Sequence, residues 1–123
     1  MKARLEPRKN LAGRTPLETV IPLSTPFVVF ADPASSCNFK CTFCPTGHRD
    51  MIAETGRYQG VMKFEAVQKI IGDFADFDMP IKVLRMYRDG EPLLNKRFAD
   101  MVTYAKKSGH VDYIETTTAV AAE

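Results

Sequence analysis

The sequence predicts an α/β chain of parallel βαβ units, and three observations carry that reading. Short apolar runs alternate with longer stretches whose apolar residues recur at helical spacing, the order that builds a parallel sheet. Breaks fall between them, at Asp32-Pro33, Pro80 and Gly109. The composition, 45% hydrophobic and 26% charged over 123 residues, suits one small globular domain and argues against wholesale disorder.

Residues 1–26 stand apart, with Pro7, Pro16, Pro22 and Pro26 among Lys2, Arg4, Arg8, Lys9 and Arg14. Proline at this density removes backbone donors, so a basic, extended arm is expected, lying on the domain or partly disordered. A basic tail for an acidic partner is the alternative. Phe27–Ala31 is a continuous apolar run that predicts a strand buried on both faces. Residues 33–61 are polar and glycine-containing and read as a long loop, which is uncommon unless it serves function or is ordered by a ligand.

Phe64, Val67, Ile70, Ile71 and Phe74 form a helical stripe, and Ile81–Tyr87 reads as a second strand. Asn95 is a candidate N-cap for a helix with Phe98, Met101, Val102 and Ala105 inside and Lys106 and Lys107 in its last turn. Val111–Thr117 is the third strand, and the crossovers should be right-handed. No helix follows to cover that strand, so the sequence reads as cut short or as needing a partner chain. Residues 27–123 would then be an incomplete core of about three strands and two helices.

No apolar run approaches the roughly 18 residues of a membrane span. The start, MKARLEPRKN, has positive charge but no apolar stretch after it, so a cytoplasmic location is expected. The net charge of +2 is too small to argue for nucleic acid.

Cys37, Cys41 and Cys44 are crowded into one segment, a poor disulfide framework but a good soft-metal site. Cys41 and Cys44 alone could be a redox C-x-x-C pair. His48 would complete a Cys3His zinc set, although structural zinc usually draws ligands from two knuckles and these all lie within residues 37–48. His48 reads better as a loop residue or a group near the metal. Three cysteines without a fourth fit an iron–sulfur cube with one iron left open to a substrate or cofactor.

The pattern Cys37-x3-Cys41-Thr42-Phe43-Cys44 after a first strand resembles the signature of the radical S-adenosylmethionine (radical SAM) superfamily. Independently, Tyr87-Arg88-Asp89-Gly90-Glu91-Pro92 directly after the second strand resembles that family's G-G-E-P motif, with Asp89 replacing one glycine. The wording of CPTG and GEPLLN is most similar to SPASM-related members, which often modify peptides or proteins.

The resemblance implies the N-terminal portion of a partial (βα)6 TIM-like barrel with its chemistry at the C-terminal strand ends. It implies a [4Fe–4S] cluster on Cys37, Cys41 and Cys44, with S-adenosylmethionine chelating the open iron. Phe43 would lie near the adenine, and Gly90, Glu91 and Pro92 would meet the methionine part, where carbonyls and a carboxylate suit an ammonium group. The implied reaction is one-electron cleavage of the sulfonium to a 5′-deoxyadenosyl radical that abstracts hydrogen from a substrate, a peptide or protein being one candidate. An external one-electron donor is required.

Glu115-Thr116-Thr117-Thr118 stands where the family often ends a third strand in Thr-Asn-Gly, and the later strands and auxiliary-cluster cysteines are not in this sequence. Two other functions are therefore carried: a small zinc-binding interaction module, and a catalytically inactive cluster-binding fragment. Arg49, Arg57 and Arg88 lie in loops that could face the site and meet an anion, but each reads better as a solvated surface cation.

Overall fold

In the computed structural model of the chain, residues 14–119 are described; the expected arm before Arg14 and the end after Ala119 lie outside them. Three parallel strands, β1 (Val28–Phe30), β2 (Ile81–Arg85) and β3 (Val111–Glu115), form one open sheet in the order β1-β2-β3. The helices are α1 (Arg49–Glu54), α2 (Phe64–Asp73) and α3 (Phe98–Lys107). Short 3-10 turns lie at Leu17–Thr19, Pro45–Gly47, Phe74–Asp76 and Pro92–Leu94. No helix among the described residues is long and apolar enough to cross a membrane.

The stripe read from the sequence becomes the covered face of the sheet. Val67 and Ile71 of α2, spaced one turn apart, meet Met101 and Ala105 of α3 over Leu84 and Met86, all buried, with Val29 and Ile114 packed beside them. Phe64 and Tyr104 bring the two helices together edge to face, 5.8 Å between ring centres, and the Arg97 guanidinium lies 4.3 Å over the Phe64 ring.

β1 departs from the expectation of a strand buried on both faces. Val28 is 40% and Phe30 48% exposed, and only Val29 turns into the core. The register puts Val28, Val83 and Tyr113 in one row across the sheet and Phe30, Arg85 and Glu115 in the next. Alternation along the strands sets these rows on the face opposite the helices. A continuous apolar run says that a strand is apolar on both sides; it does not say that both sides are covered.

The long loop predicted over 33–61 is partly helical, since α1 interrupts it. One buried apolar side chain, Ile52, anchors that helix, too little to give a readable stripe. At the opposite end of the sheet, residues from Thr15 to Phe27 lie against the strand starts. Lys82 Nζ donates to Thr15 Oγ1 (3.3 Å) and sits 5.0 Å over the Phe27 ring, while the Met79 N–H donates to Thr25 Oγ1 (3.3 Å).

Leu84→Ala should lower the unfolding free energy by about 2–5 kcal/mol through lost transfer energy and an unfilled cavity. Val28→Ala, on the uncovered face, should cost less than about 1 kcal/mol. Urea denaturation of both variants checks the assignment of the two faces; equal losses would overturn it.

Candidate functional site

All three strands point their C-terminal ends to the same side, and the segments leaving them meet there. The first departs after β1. Its neck is closed by an antiparallel bridge between Ala34 and Val61, with the Ser35 N–H donating to the Gly60 carbonyl and the Met62 N–H to the Pro33 carbonyl, both at 2.9 Å. The Ser35 hydroxyl adds to it, accepting from the Gly60 N–H (3.0 Å) and donating to the Tyr58 carbonyl (3.1 Å).

Asn95 locks this neck from the β2 side. Its side chain is buried, and its amide donates to the carbonyls of Pro33 and Met62, each at 2.9 Å, while its oxygen accepts the Arg97 N–H at 3.0 Å. Each of those polar groups is satisfied, as burial demands. The expected N-cap role is corrected: α3 begins three residues later with Arg97 as its N-cap and no side-chain cap, and the Asn95 amide instead holds both ends of the cysteine-bearing segment.

Within the segment, Cys37, Cys41 and Cys44 are free and half-buried. The Cys44 N–H donates to the Cys41 carbonyl (3.2 Å), and Pro45 then opens the 3-10 turn Pro45–Gly47. Gly47 permits a close crossing, since a Cβ there would sit 1.6 Å from the Phe39 carbonyl oxygen. His48 Nε2 lies 3.4 Å from the Cys41 carbonyl oxygen, a long hydrogen bond. Among the described residues no three His, Cys, Asp or Glu side chains converge as they would around a single metal ion. Beside Cys37 a cleft of about 560 Å³ opens, lined by Lys40, Gly47, His48 and Arg49 among others; none of Gly90, Glu91 or Pro92 reaches it.

Arg57 is a correction to the solvated-cation reading. It is half-buried, and its Nη2 donates to the Ser35 carbonyl (3.3 Å) and to the hydroxyl of buried Thr46 (3.2 Å), tying the neck to the turn after Cys44. Arg49 and Arg88 are exposed, as expected. The Arg57 Nη1 lies 3.9 Å from an Asp89 carboxylate oxygen. Asp32 Oδ2 accepts the Asp89 N–H (3.3 Å), and both Asp32 Oδ1 and Arg57 Nε are buried without a hydrogen-bond partner among the described residues. Burial pushes the Asp32 carboxyl above the usual carboxylate range, with the Asp89 charge adding to it; the Asp89 and Gly90 N–H groups and Arg57 oppose the rise.

The second segment, after β2, presses onto the first. A Cβ at Gly90 would stand 1.8 Å from the Ala34 carbonyl oxygen and 2.5 Å from that of Ser36, so no larger residue fits. The next N–H, of Glu91, donates to the Ser36 carbonyl at 2.9 Å. Pro92 is fully buried and opens the turn Pro92–Leu94. Glu91 is only 4% exposed. Its Oε1 accepts the Thr118 hydroxyl (2.6 Å) and the Leu93 N–H (3.2 Å), and its Oε2 accepts the Ala119 N–H (3.0 Å). Phe43, by contrast, is 88% exposed and projects into solvent.

The cysteine segment and the Gly90–Pro92 segment, far apart in sequence, are therefore built as one rim. A family model, that of the Radical SAM superfamily, matches residues 33–121 of the 123-residue chain, from the neck of the first segment through β3. The chain belongs to the Radical SAM superfamily. Comparison with curated proteins and with solved structures found no match at the significance required.

Gly90→Ala must push the rim segments apart, and should cost about 1–3 kcal/mol or more by overpacking; stability equal to wild type would contradict the close approach. Asp32 gives a pH signature. A carboxyl raised by folding favours its protonated form in the native state, so that contribution is present at acid pH and is lost as pH rises through the folded value. Asp32→Asn should gain stability on wild type from acid to neutral pH, read from urea midpoints at several pH values. A difference moving the other way would refute it.

Proposed function

We propose that this chain carries the cluster-binding part of a radical SAM enzyme, with Cys37, Cys41 and Cys44 as ligands of a [4Fe–4S] cluster. The observation that carries the reading is the contact of Gly90 and Glu91 with the backbone of Ala34 and Ser36, immediately before Cys37. It sets the two motifs side by side on the rim where a parallel sheet presents its chemistry.

The donor chemistry suits the group, although the thiols do not converge on one point in this arrangement. Three free, half-buried thiols in one segment can each take a corner of a cube, and a cube with three protein ligands keeps one iron open. When bound, the cluster and S-adenosylmethionine supply one-electron reductive cleavage of the sulfonium, the hard chemistry that belongs to the cofactor. The chain's own residues hold and orient. Arg57, Asn95 and Ser35 fix the cysteine segment at its neck, and the backbone of Gly90–Pro92 offers a wall for the methionine part. Phe43, exposed to solvent, is the aromatic that would cover the adenine.

On this reading the open sheet is one wall of the family's partial barrel, with Val28, Phe30, Val83 and Tyr113 facing its interior and a partner chain or further strands completing it. An external one-electron donor is needed. The peptide or protein class of substrate rests on the SPASM-like wording of CPTG and GEPLLN.

Anaerobic reconstitution with iron and sulfide should give a brown protein with about four iron per chain. Alanine at Cys37, Cys41 or Cys44 should abolish the cluster, whereas His48→Ala should retain it. With dithionite and S-adenosylmethionine the loaded protein should release 5′-deoxyadenosine. Loss of metal in the His48 variant, with zinc in place of iron, would replace this reading by a zinc module. A loaded protein that forms no 5′-deoxyadenosine would be an inactive fragment.

A further inference from the structure

We propose that Glu91 is a positioning residue: its carboxylate sets the path of the chain leaving β3 and acts on a bound ligand only through Thr118 and Ala119. The ligand half of this inference rests on the radical SAM reading; the positioning half stands without it.

Two features separate Glu91 from a carboxylate poised for a ligand. First, its acceptor capacity is largely spent. A carboxylate offers about four lone-pair positions, and Glu91 fills three with donors of its own chain, one of them the Thr118 hydroxyl at 2.6 Å. Hydrogen bonds to an ionised oxygen are short and roughly twice as strong as neutral ones, so an incoming ammonium would have to displace or share them. Second, those donors come from a different rim segment. The Glu91 N–H is bonded to Ser36, next to Cys37, and its side chain is bonded to residues 118 and 119. Glu91 thus joins the segments that follow β1, β2 and β3.

The segment after β3 needs such a clamp. Among the described residues, Thr116 through Ala119 make no strand pairing and are exposed, and the Thr116 hydroxyl reaches the Met86 carbonyl (3.1 Å). Through these bonds the Glu91 carboxylate draws Thr118 and Ala119 onto the same rim as Gly90. An amide in place of the carboxylate turns an N–H toward one of the donors, so Glu91→Gln keeps the size and breaks the clamp.

The test combines amide exchange with a double-mutant cycle on Glu91→Gln, Thr118→Val and the double variant. By NMR on the chain as isolated, Ala119 amide exchange should quicken by about tenfold or more in Glu91→Gln, the loss of one charge-assisted bond. On chains loaded to equal iron content, S-adenosylmethionine should bind more weakly to both single variants, and the double variant should bind no more weakly than Glu91→Gln alone. If Thr118→Val binds as wild type while Glu91→Gln loses binding, Glu91 touches the ligand directly and the proposal fails. Unchanged Ala119 exchange in Glu91→Gln also overturns it. A wild-type chain that takes up no cluster defeats the radical SAM reading, and the exchange measurement then decides the clamp by itself.

Discussion

A hydrogen atom on Gly90 occupies the only space left between the backbone after β2 and the carbonyls of Ala34 and Ser36. Much else follows from that closeness. It lets the Glu91 N–H bond to Ser36, which sets Cys37 beside the second segment, and it leaves Glu91's side chain directed at the exit of β3. The side chain of Asn95, five residues on, finishes the junction by gripping both ends of the cysteine segment. The rim is thus ordered by backbone proximity and polar contacts, with little apolar burial.

That division has a dynamic side. The core under α2 and α3 is a continuous apolar cluster, whereas between Ser35 and Gly60 the buried apolar side chain is Ile52 alone. Regions held by a few hydrogen bonds open at lower free energy than packed cores do. A segment that takes up a cluster and a cofactor, as proposed above, would be well served by that difference, because it could rearrange its thiols without disturbing the sheet.

The sequence made the frame legible where burial has a period. α2, α3, β2 and β3 each follow from stripes or runs that end at Pro80, Gly109 or a capping segment, and the order of elements implied parallel pairing. α1 was not legible, since a six-residue helix with one buried apolar residue has no stripe. The openness of β1 was hidden because composition reports what a strand could bury and not what lies over it. Of the rim, the cysteines and Gly90–Pro92 stood out as motifs. Arg57 and Asn95 did not: Arg57 meets Ser35 22 residues away and Asn95 meets Pro33 62 residues away, and no local pattern encodes such distant partners.

On the uncovered sheet face, Arg85 and Glu115 are joined at 2.6 Å with side chains 37% and 36% exposed, and the Arg85 guanidinium lies 5.4 Å from the Phe30 ring centre. In contact with water such a pair contributes at most about 1 kcal/mol. Once any wall shuts out the solvent, the balance inverts: neutralising just one partner would strand its opposite charge at a penalty of about 3–5 kcal/mol. The pair is therefore a gatekeeper of closure, inexpensive while the face is wet and stringent once it is dry, and it obliges whatever encloses that surface to respect both charges together.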